Sequence, residues 1–357
     1  MLGRGVDQIL PHPGDPTLRE RWVRDARQYV TLAERVNGPI PRPVDFAYPW
    51  GDAVALLDAI APDVRLVNLE TAVTVADEFA PGKAVHYRMN PANLPCLTAI
   101  RPDVCALANN HVLDFGRAGL VETLDTLADA GVRAVGAGRD AERAWHPAVL
   151  SVPGKARVIV LAFATASSGV PPEWAASEDR AGVAFVPELS DAAADGVVER
   201  LQRHKRAGDL AVVSVHWGSN WGYRVPAEQV RFAHRLIDGG VDLVHGHSSH
   251  HPRPLEVHRG KLVLYGCGDF VNDYEGIGGD EAYRGDLRPA YFASLDMATG
   301  TLRELRIVPM RSERLRLRRA PPSDGRWLGS ALQRESARFG TRIRINPDGT
   351  SSLDEVT

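Results

Sequence analysis

Short apolar runs that stop abruptly at polar, chemically capable side chains recur along this chain, and they constrain its fold more than any other feature. Residues 64–70 pass through Val64, Leu66, Val67 and Leu69 to Glu70, and residues 104–108 lead directly into Asn109, Asn110 and His111. Residues 158–164 are apolar throughout, residues 210–215 end at His216, residues 241–244 end at His245, and residues 262–265 lead into Gly266-Cys267-Gly268-Asp269. Such runs read as buried strands. Helical spacings lie between them: Leu120, Leu124, Leu127 and Ala128, closed by Gly131, and Val230, Ala233, His234 and Ile237, stopped by Gly239-Gly240. Strands alternating with helices predict an α/β (α+β) chain whose ligand-binding side chains sit just beyond the strand ends.

The flanks read differently. Residues 11–50 are rich in proline and arginine and suggest loops around one helix at 17–36. Residues 302–317 alternate Leu or Ile with Arg or Glu, the period of half-exposed strands. After Ala320-Pro321-Pro322 a short helix and a hairpin at Asp348-Gly349 are expected. The organisation that follows is one main domain over 1–320 and a C-terminal helix and hairpin appendage over 321–357.

Of the 357 residues, 44% are hydrophobic and 24% charged, which excludes disordered and fibrous classes. The longest apolar run falls well short of the roughly 18 residues a membrane span requires. The first residues lack the apolar core of an export signal, so the chain as written reads as cytoplasmic. A net charge of −3 offers no electrostatic case for a nucleic-acid partner. Cys96, Cys105 and Cys267 have no metal or redox spacing and read as reduced, mostly buried thiols.

Histidine carries the chemistry. The window from His245 to His251 holds four of the 12 histidines, where chance would put about a quarter of one. Neutral imidazole is a common ligand for transition metals, and Gly246 beside it permits close approach of backbone and ligand. His245, nearest the strand, reads as structural; His247 and His250 read as ligands. His216 closes another strand, Asn109, Asn110 and His111 a third, and Glu70 a fourth. Two adjacent amides after an apolar strand are costly to bury unless they are used. Carboxylate, amide and imidazole without thiolate suit Mn, Fe, Zn or Mg rather than copper or an iron–sulfur cluster. One or two divalent ions held at four strand ends is the expected cofactor.

These stretches resemble the CapA family of poly-γ-glutamate capsule biosynthesis proteins, within the calcineurin-like metallophosphatase superfamily. The likeness lies in VNLETAVT, LANNHVLDFGRAGLVETLDTLADAGVRAVGAG, VVSVHWGSNWGYRVPAEQ and LIDGGVDLVHGHSSHHPRPLEVHRGKLVLYGCGDF, with Lys83 ahead of the asparagine motif, and it spans about residues 1–310. The resemblance implies two packed mixed sheets flanked by helices and a metal centre on loops at the strand ends. It implies Glu70 as a carboxylate able to bridge two metals, Asn110 as the amide ligand, and His216, His247 and His250 as imidazole ligands. His111 becomes a candidate general acid oriented by Asp114.

Three departures stand out. Relatives carry a strand ending in Gly-Asp ahead of the segment matching residues 1–7, and this chain starts inside that motif; either its start is placed too late or a ligand is lost, and the retained GRGVDQ favours the first. A longer N-terminus would make the protein membrane-anchored or extracytoplasmic. The family's GHHPH stands here as Gly246-His247-Ser248-Ser249-His250, and its glycine-asparagine-phenylalanine as Gly268-Asp269-Phe270.

Arg4, Lys83, Asn109 and Arg253 are candidate contacts for an anionic substrate such as poly-γ-glutamate or a phosphate. Trp217, Trp221 and Tyr223 read as core more than as a groove, and the arginines from Arg311 to Arg319 as a solvated strand face more than as a polyanion track. Two functions follow. The first is a metal-dependent hydrolase of a phosphoester or the γ-glutamyl polymer; the second is a non-catalytic metal-containing component of a machine that includes a polyglutamate synthase complex.

Overall fold

The computed structural model describes residues 1–354, and a seven-stranded mixed sheet lies at its centre. Arg157–Thr165, Leu210–His216, Leu243–His247 and Lys261–Leu264 run side by side in parallel, with Phe185–Val186 parallel to the first of them. Leu255–His258 and Ala148–Ser151 add antiparallel pairs. The middle strands are buried on both faces, so their sequences are continuous apolar runs rather than alternating ones. Leu161, Phe163, Val213 and Val215 pack against Leu201 of the helix Asp191–Gln202 and against Phe232 and Leu236 of the helix Ala227–Asp238.

The opposite face, with Val160, Ala162 and Val212, packs on Val104, Ala106 and Val135 of a second sheet. That sheet is parallel throughout and made of Leu66–Asn68, Val104–Ala106 and Arg133–Val135. The helix Gly116–Asp129 sends Leu120 and Leu127 into the adjoining core. A third sheet, five-stranded and antiparallel, is built from Leu287–Leu295, Leu302–Ser312, Leu317–Arg319, Ile343–Ile345 and Ser351–Leu353. The class is the mixed α/β arrangement expected, with one main sheet more than the two anticipated.

Local boundaries depart from the sequence reading in instructive ways. The N-terminal helix spans Arg27–Asn37, not 17–36. Residues 17–26 instead form a loop in which Leu18 N donates to Arg24 O and Ala26 N to Pro16 O. This loop turns the buried Glu20 inward to Arg4 and Tyr29, a contact a surface helix would not supply. The strand expected at 241–244 spans Leu243–His247, because His245 and His247 face the interior and are hydrogen-bonded there. The half-exposed strand at 302–317 ends at Ser312 and resumes as Leu317–Arg319 after a turn at Arg314 and Leu315, both with positive φ.

Beyond residue 320, the helix Pro322–Ser336 precedes a hairpin of Ile343–Ile345 and Ser351–Leu353, and residues 355–357 of the expected appendage lie outside the described residues. Ser351–Leu353 also pairs with Leu302–Ser312, and Leu328, Leu332, Ile343 and Leu353 share a core with Leu255, Leu264, Leu287 and Ile307. Cys96 and Cys105 are free and buried, and Cys267 is free and half-buried. Among the described residues no helix is long and apolar enough to cross a membrane.

Two expectations follow. A Cβ at Gly246 would meet Leu264 O at 2.5 Å and Trp217 Nε1 and Tyr265 O at 2.8 Å. Gly246→Ala should therefore cost about 1–3 kcal/mol by thermal or denaturant unfolding, since backbone must shift. Asp209 ties the starts of two central strands, accepting from Arg157 Nε at 2.9 Å and Arg206 N at 2.7 Å. Burial acts to raise its pKa, but Arg157 and Arg206 N more than offset this and hold it below the ordinary value. A depressed folded pKa contributes stability above the unfolded value and loses it as pH falls through the folded one. The melting-temperature advantage of wild type over Asp209→Asn should therefore shrink below about pH 4.

A histidine-rich candidate metal centre at the strand ends

The parallel register of two central strands places His216 opposite His247 and Ser214 opposite His245. His245 and His247, two residues apart, share a face, and Ser214 Oγ lies 2.9 Å from His245 Nδ1 and 3.0 Å from His247 Nε2. His247 Nδ1 lies 2.8 Å from His216 Nδ1. Burial drives His216 and His247 well below the ordinary imidazole pKa and His245 to about 4, so all three are neutral near pH 7. With His216 donating Nδ1–H to His247, and His247 donating Nε2–H to Ser214, His216 Nε2 keeps its lone pair for the site.

That nitrogen looks onto Asn110 Oδ1 at 3.1 Å and Glu70 Oε1 at 4.0 Å. Glu70 is buried behind the short strand Leu66–Asn68, where Asn68 Nδ2 donates to its Oε2 at 2.7 Å. Burial, with Asp269 adding to it, raises the Glu70 pKa against the pull of His250. Glu70 thus stands between a neutral side (Asn110, His216) and a charged side (His250, Asp269). His250 Nδ1 lies 3.1 Å from Asp269 Oδ2. Burial works to lower the His250 pKa, yet Asp269 raises it overall; Asp269 in turn is held far below the ordinary range by His250 and Arg288 despite its burial. The loop carrying His250 departs from the strand through Ser248, whose φ of 113° is strained for a residue with a Cβ.

The donor set fits a divalent ion. His216 Nε2 has an oxygen donor on either side, Asn110 Oδ1 at 3.1 Å and Glu70 Oε1 at 4.0 Å, a mixed nitrogen and oxygen set that suits such an ion. His250 and Asp269 face each other beyond Glu70, with His250 Nε2 also 3.4 Å from Tyr274 OH. His247 stands differently from the sequence expectation: both its nitrogens are engaged by His216 and Ser214, so it lies behind His216 as an orienting partner.

Beside these donors sits a second constellation. His111 Nδ1 lies 2.6 Å from Asp114 Oδ2, which also accepts from Tyr87 N at 2.7 Å, while Lys83 Nζ donates to Asp114 Oδ1 and to Asn110 O. Burial would raise the Asp114 pKa, but His111 and Lys83 hold it below the ordinary value. Burial and Lys83 bring the His111 pKa down to about 4, so its Nδ1 proton is directed at Asp114 and Nε2 is left with a lone pair.

The remaining candidates are placed as follows. Asn109 is wholly buried: its amide donates to Leu69 O at 2.9 Å and Asn68 Oδ1 at 3.1 Å, and its Oδ1 accepts from His111 N at 3.0 Å. Arg4 is buried over the Tyr29 and Tyr87 rings with its fork on Asp273 and Glu20, so its donors are directed inward. Arg253 is buried and donates to Ser219 O and Oγ. Trp217 is core, its Nε1 donating to Tyr265 O, whereas Trp221 is half-buried and stacked on His251 beside His250. Arg311, Arg314 and Arg318 are paired with Glu313, Asp324 or Asp52, and Arg316 lies over the Tyr48 ring.

Sequence reasoning missed Ser214, Asn68 and Tyr87, and gave Asp269 no partner. Ser214 had one signal, a lone hydroxyl inside an apolar strand, which cannot be buried without a partner. Asp114→Asn should release the His111 ring: a histidine ¹H–¹⁵N spectrum should change from the Nδ1–H tautomer toward Nε2–H. Stability should fall by on the order of 3 kcal/mol as Lys83 loses its buried counter-charge.

The chain is similar in sequence to known bacterial proteins. A family model described as bacterial capsule synthesis protein PGA_cap matches residues 1–274. The chain is 57% identical over 350 residues to the polyglutamine synthesis accessory protein of Mycobacterium tuberculosis strain H37Rv, covering 98% of this chain and 92% of that one. It is 28% identical over 220 residues to the PGA biosynthesis protein CapA of Bacillus subtilis, 60% of this chain and 54% of that one. To the capsule biosynthesis protein CapA of Bacillus anthracis it is 29% identical over 209 residues, 58% and 49% of the two chains. This chain belongs to the bacterial capsule synthesis protein PGA_cap family.

Proposed function

We propose that this chain works in poly-γ-glutamate synthesis as a metal-dependent hydrolase with a calcineurin-like metallophosphatase fold, cleaving a phosphoester or a γ-glutamyl linkage. One observation carries this: His216 Nε2 lies within 4.0 Å of both Asn110 Oδ1 and Glu70 Oε1, beside a His111–Asp114–Lys83 cluster that can move a proton. The names of the relatives, polyglutamine synthesis accessory protein and PGA biosynthesis protein, supply the process and suggest a polyglutamate synthase complex as the partner.

Glu70, Asn110 and His216 would hold an ion, and His250 with Asp269 would supply the donors for any second one. A divalent ion there polarises a phosphoryl or acyl oxygen and acidifies water enough to attack near neutral pH. The chain's own residues close the proton balance. Asp114 fixes the His111 proton on Nδ1, so Nε2 can take a proton from the attacking water and return it to the leaving oxygen or nitrogen. The water oxygen joins phosphorus or acyl carbon as the leaving bond breaks. Asn109, by accepting from His111 N, holds the backbone that aims both Asn110 and His111.

A second reading, a non-catalytic metal-containing binding or assembly component, draws on His247, whose engagement by Ser214 removes one imidazole from the donors. The two separate experimentally. Protein loaded with Mn²⁺, then Fe²⁺, Zn²⁺ or Mg²⁺, is assayed on a generic phosphodiester and on poly-γ-glutamate. Hydrolysis should be seen, and His111→Ala should lower kcat by about 10²–10⁴-fold with bound metal unchanged. An intact protein that retains metal and binds the polymer but turns over neither substrate with any ion would establish the second reading instead.

A further inference from the structure

We propose that His234, Glu256 and His258 form a separate divalent-metal site that takes a zinc-class ion and pins the edge strand of the main sheet to the helix beside it. One ligand atom from each residue lies within 4.8 Å of the other two. His234 is on the helix Ala227–Asp238, and Glu256 and His258 are two residues apart on the strand Leu255–His258, hence on one face. Asp238, four residues after His234 and so on the same face of the helix, brings its Oδ1 to 3.4 Å from His258 Nε2. Helix and strand thus each present a histidine and a carboxylate to the same spot.

Two details point to an ion. His258 Nε2 is buried and makes no hydrogen bond despite that carboxylate nearby. The two imidazoles lie nearly parallel, their centroids 3.8 Å apart, so an ion held by both requires a ring to turn out of the stack. Glu256 is oriented: its Oε2 accepts from Tyr265 OH at 2.6 Å while Oε1 lies 2.8 Å from His234 Nε2. A carboxylate fixed from behind by a buried hydroxyl is the support that ligands require. Two imidazoles with a carboxylate favour zinc over magnesium or calcium, and the partly exposed His234 leaves an entry path.

The cluster is distinct from the strand-end site. Leu255–His258 runs antiparallel to Lys261–Leu264, pairing His258 with Lys261 at the start of that strand, whereas His247 sits at the end of the neighbouring parallel strand. Among the described residues the edge strand has no further neighbour in its sheet, and an ion bridging it to the helix would fix its register.

The test uses the full chain, stripped with a chelator and titrated with Zn²⁺ by calorimetry, with Co²⁺ absorption as a second readout. In a His216→Ala/His250→Ala background, which disables the strand-end donors, one equivalent of zinc should still bind. Adding His234→Gln should weaken it by more than the ~10–100-fold that loss of a supporting partner costs, and Tyr265→Phe by an amount within that range. Should the background variant not fold, His234→Gln alone, at a partly exposed position, should remove one zinc equivalent from the wild-type count. Zinc binding that is absent in the background, or indifferent to His234→Gln, overturns the proposal.

Discussion

Register between two parallel strands governs the centre of this protein. Because Leu210–His216 and Leu243–His247 pair with His216 opposite His247 and Ser214 opposite His245, four polar side chains meet in a line through an apolar sheet. A slip of either strand by one residue would turn its two members of the line to the other face. One protonation pattern that satisfies the line has Ser214 accepting from His247 and donating to His245, and it leaves His216 Nε2 unprotonated. Burial of all three imidazoles keeps them neutral, and neutrality lets each be donor at one nitrogen and acceptor at the other. The free lone pair of His216, aimed at Asn110 and Glu70, is the outward end of that chain.

Much of this was legible in the sequence, and the residues show why. Glu70, Asn110, His111 and His216 each follow an apolar run long enough to be a buried strand, so their convergence at one edge of parallel sheets follows from topology. The coupling of His111 to Asp114 was equally open to reading, since three residues separate them. The chain's expected anion contacts were not legible. An arginine in sequence carries no sign of whether a carboxylate waits inside, and Arg4 finds Asp273 at 269 residues' distance and Glu20 at 16. Nor could sequence show that His245-Gly246-His247 continues a strand, because none of the three is an apolar strand former. The clue was the spacing of two, which puts both rings on one face with glycine turned the other way, against Leu264 O and the Trp217 indole. The cluster of His234, Glu256 and His258 left no trace for a different reason. Its helix and strand are separated in sequence by the strand Leu243–His247 and the loop that follows it, so the three residues share no local spacing.

Electrostatics explains why the strand-end site is built from two unlike halves. On one side everything is neutral: an amide and an imidazole held from behind by other neutral groups. On the other side His250 and Asp269 form a charged pair, with Arg288 3.9 Å from the same Asp269 oxygen and donating to Asn272, which donates to Asp269 in turn. Glu70 faces both halves, with its negative charge disfavoured by burial and by Asp269. A buried carboxylate in that position is either protonated or compensated by a positive charge. His250 supplies part of that compensation, but it is already committed to Asp269. The Met1 ammonium and the Asn68 amide favour the charged form as well, and positive charge beside Glu70 Oε1 would also reach His216 Nε2, 4.0 Å away, and through it Asn110 Oδ1. Neutral lone-pair donors on one flank and an under-compensated carboxylate on the other constitute a demand that a hydrogen-bonded proton meets poorly, because it satisfies one acceptor at a time. A divalent cation meets all of them at once. That imbalance, more than the count of histidines, is the physical argument for the proposed ion.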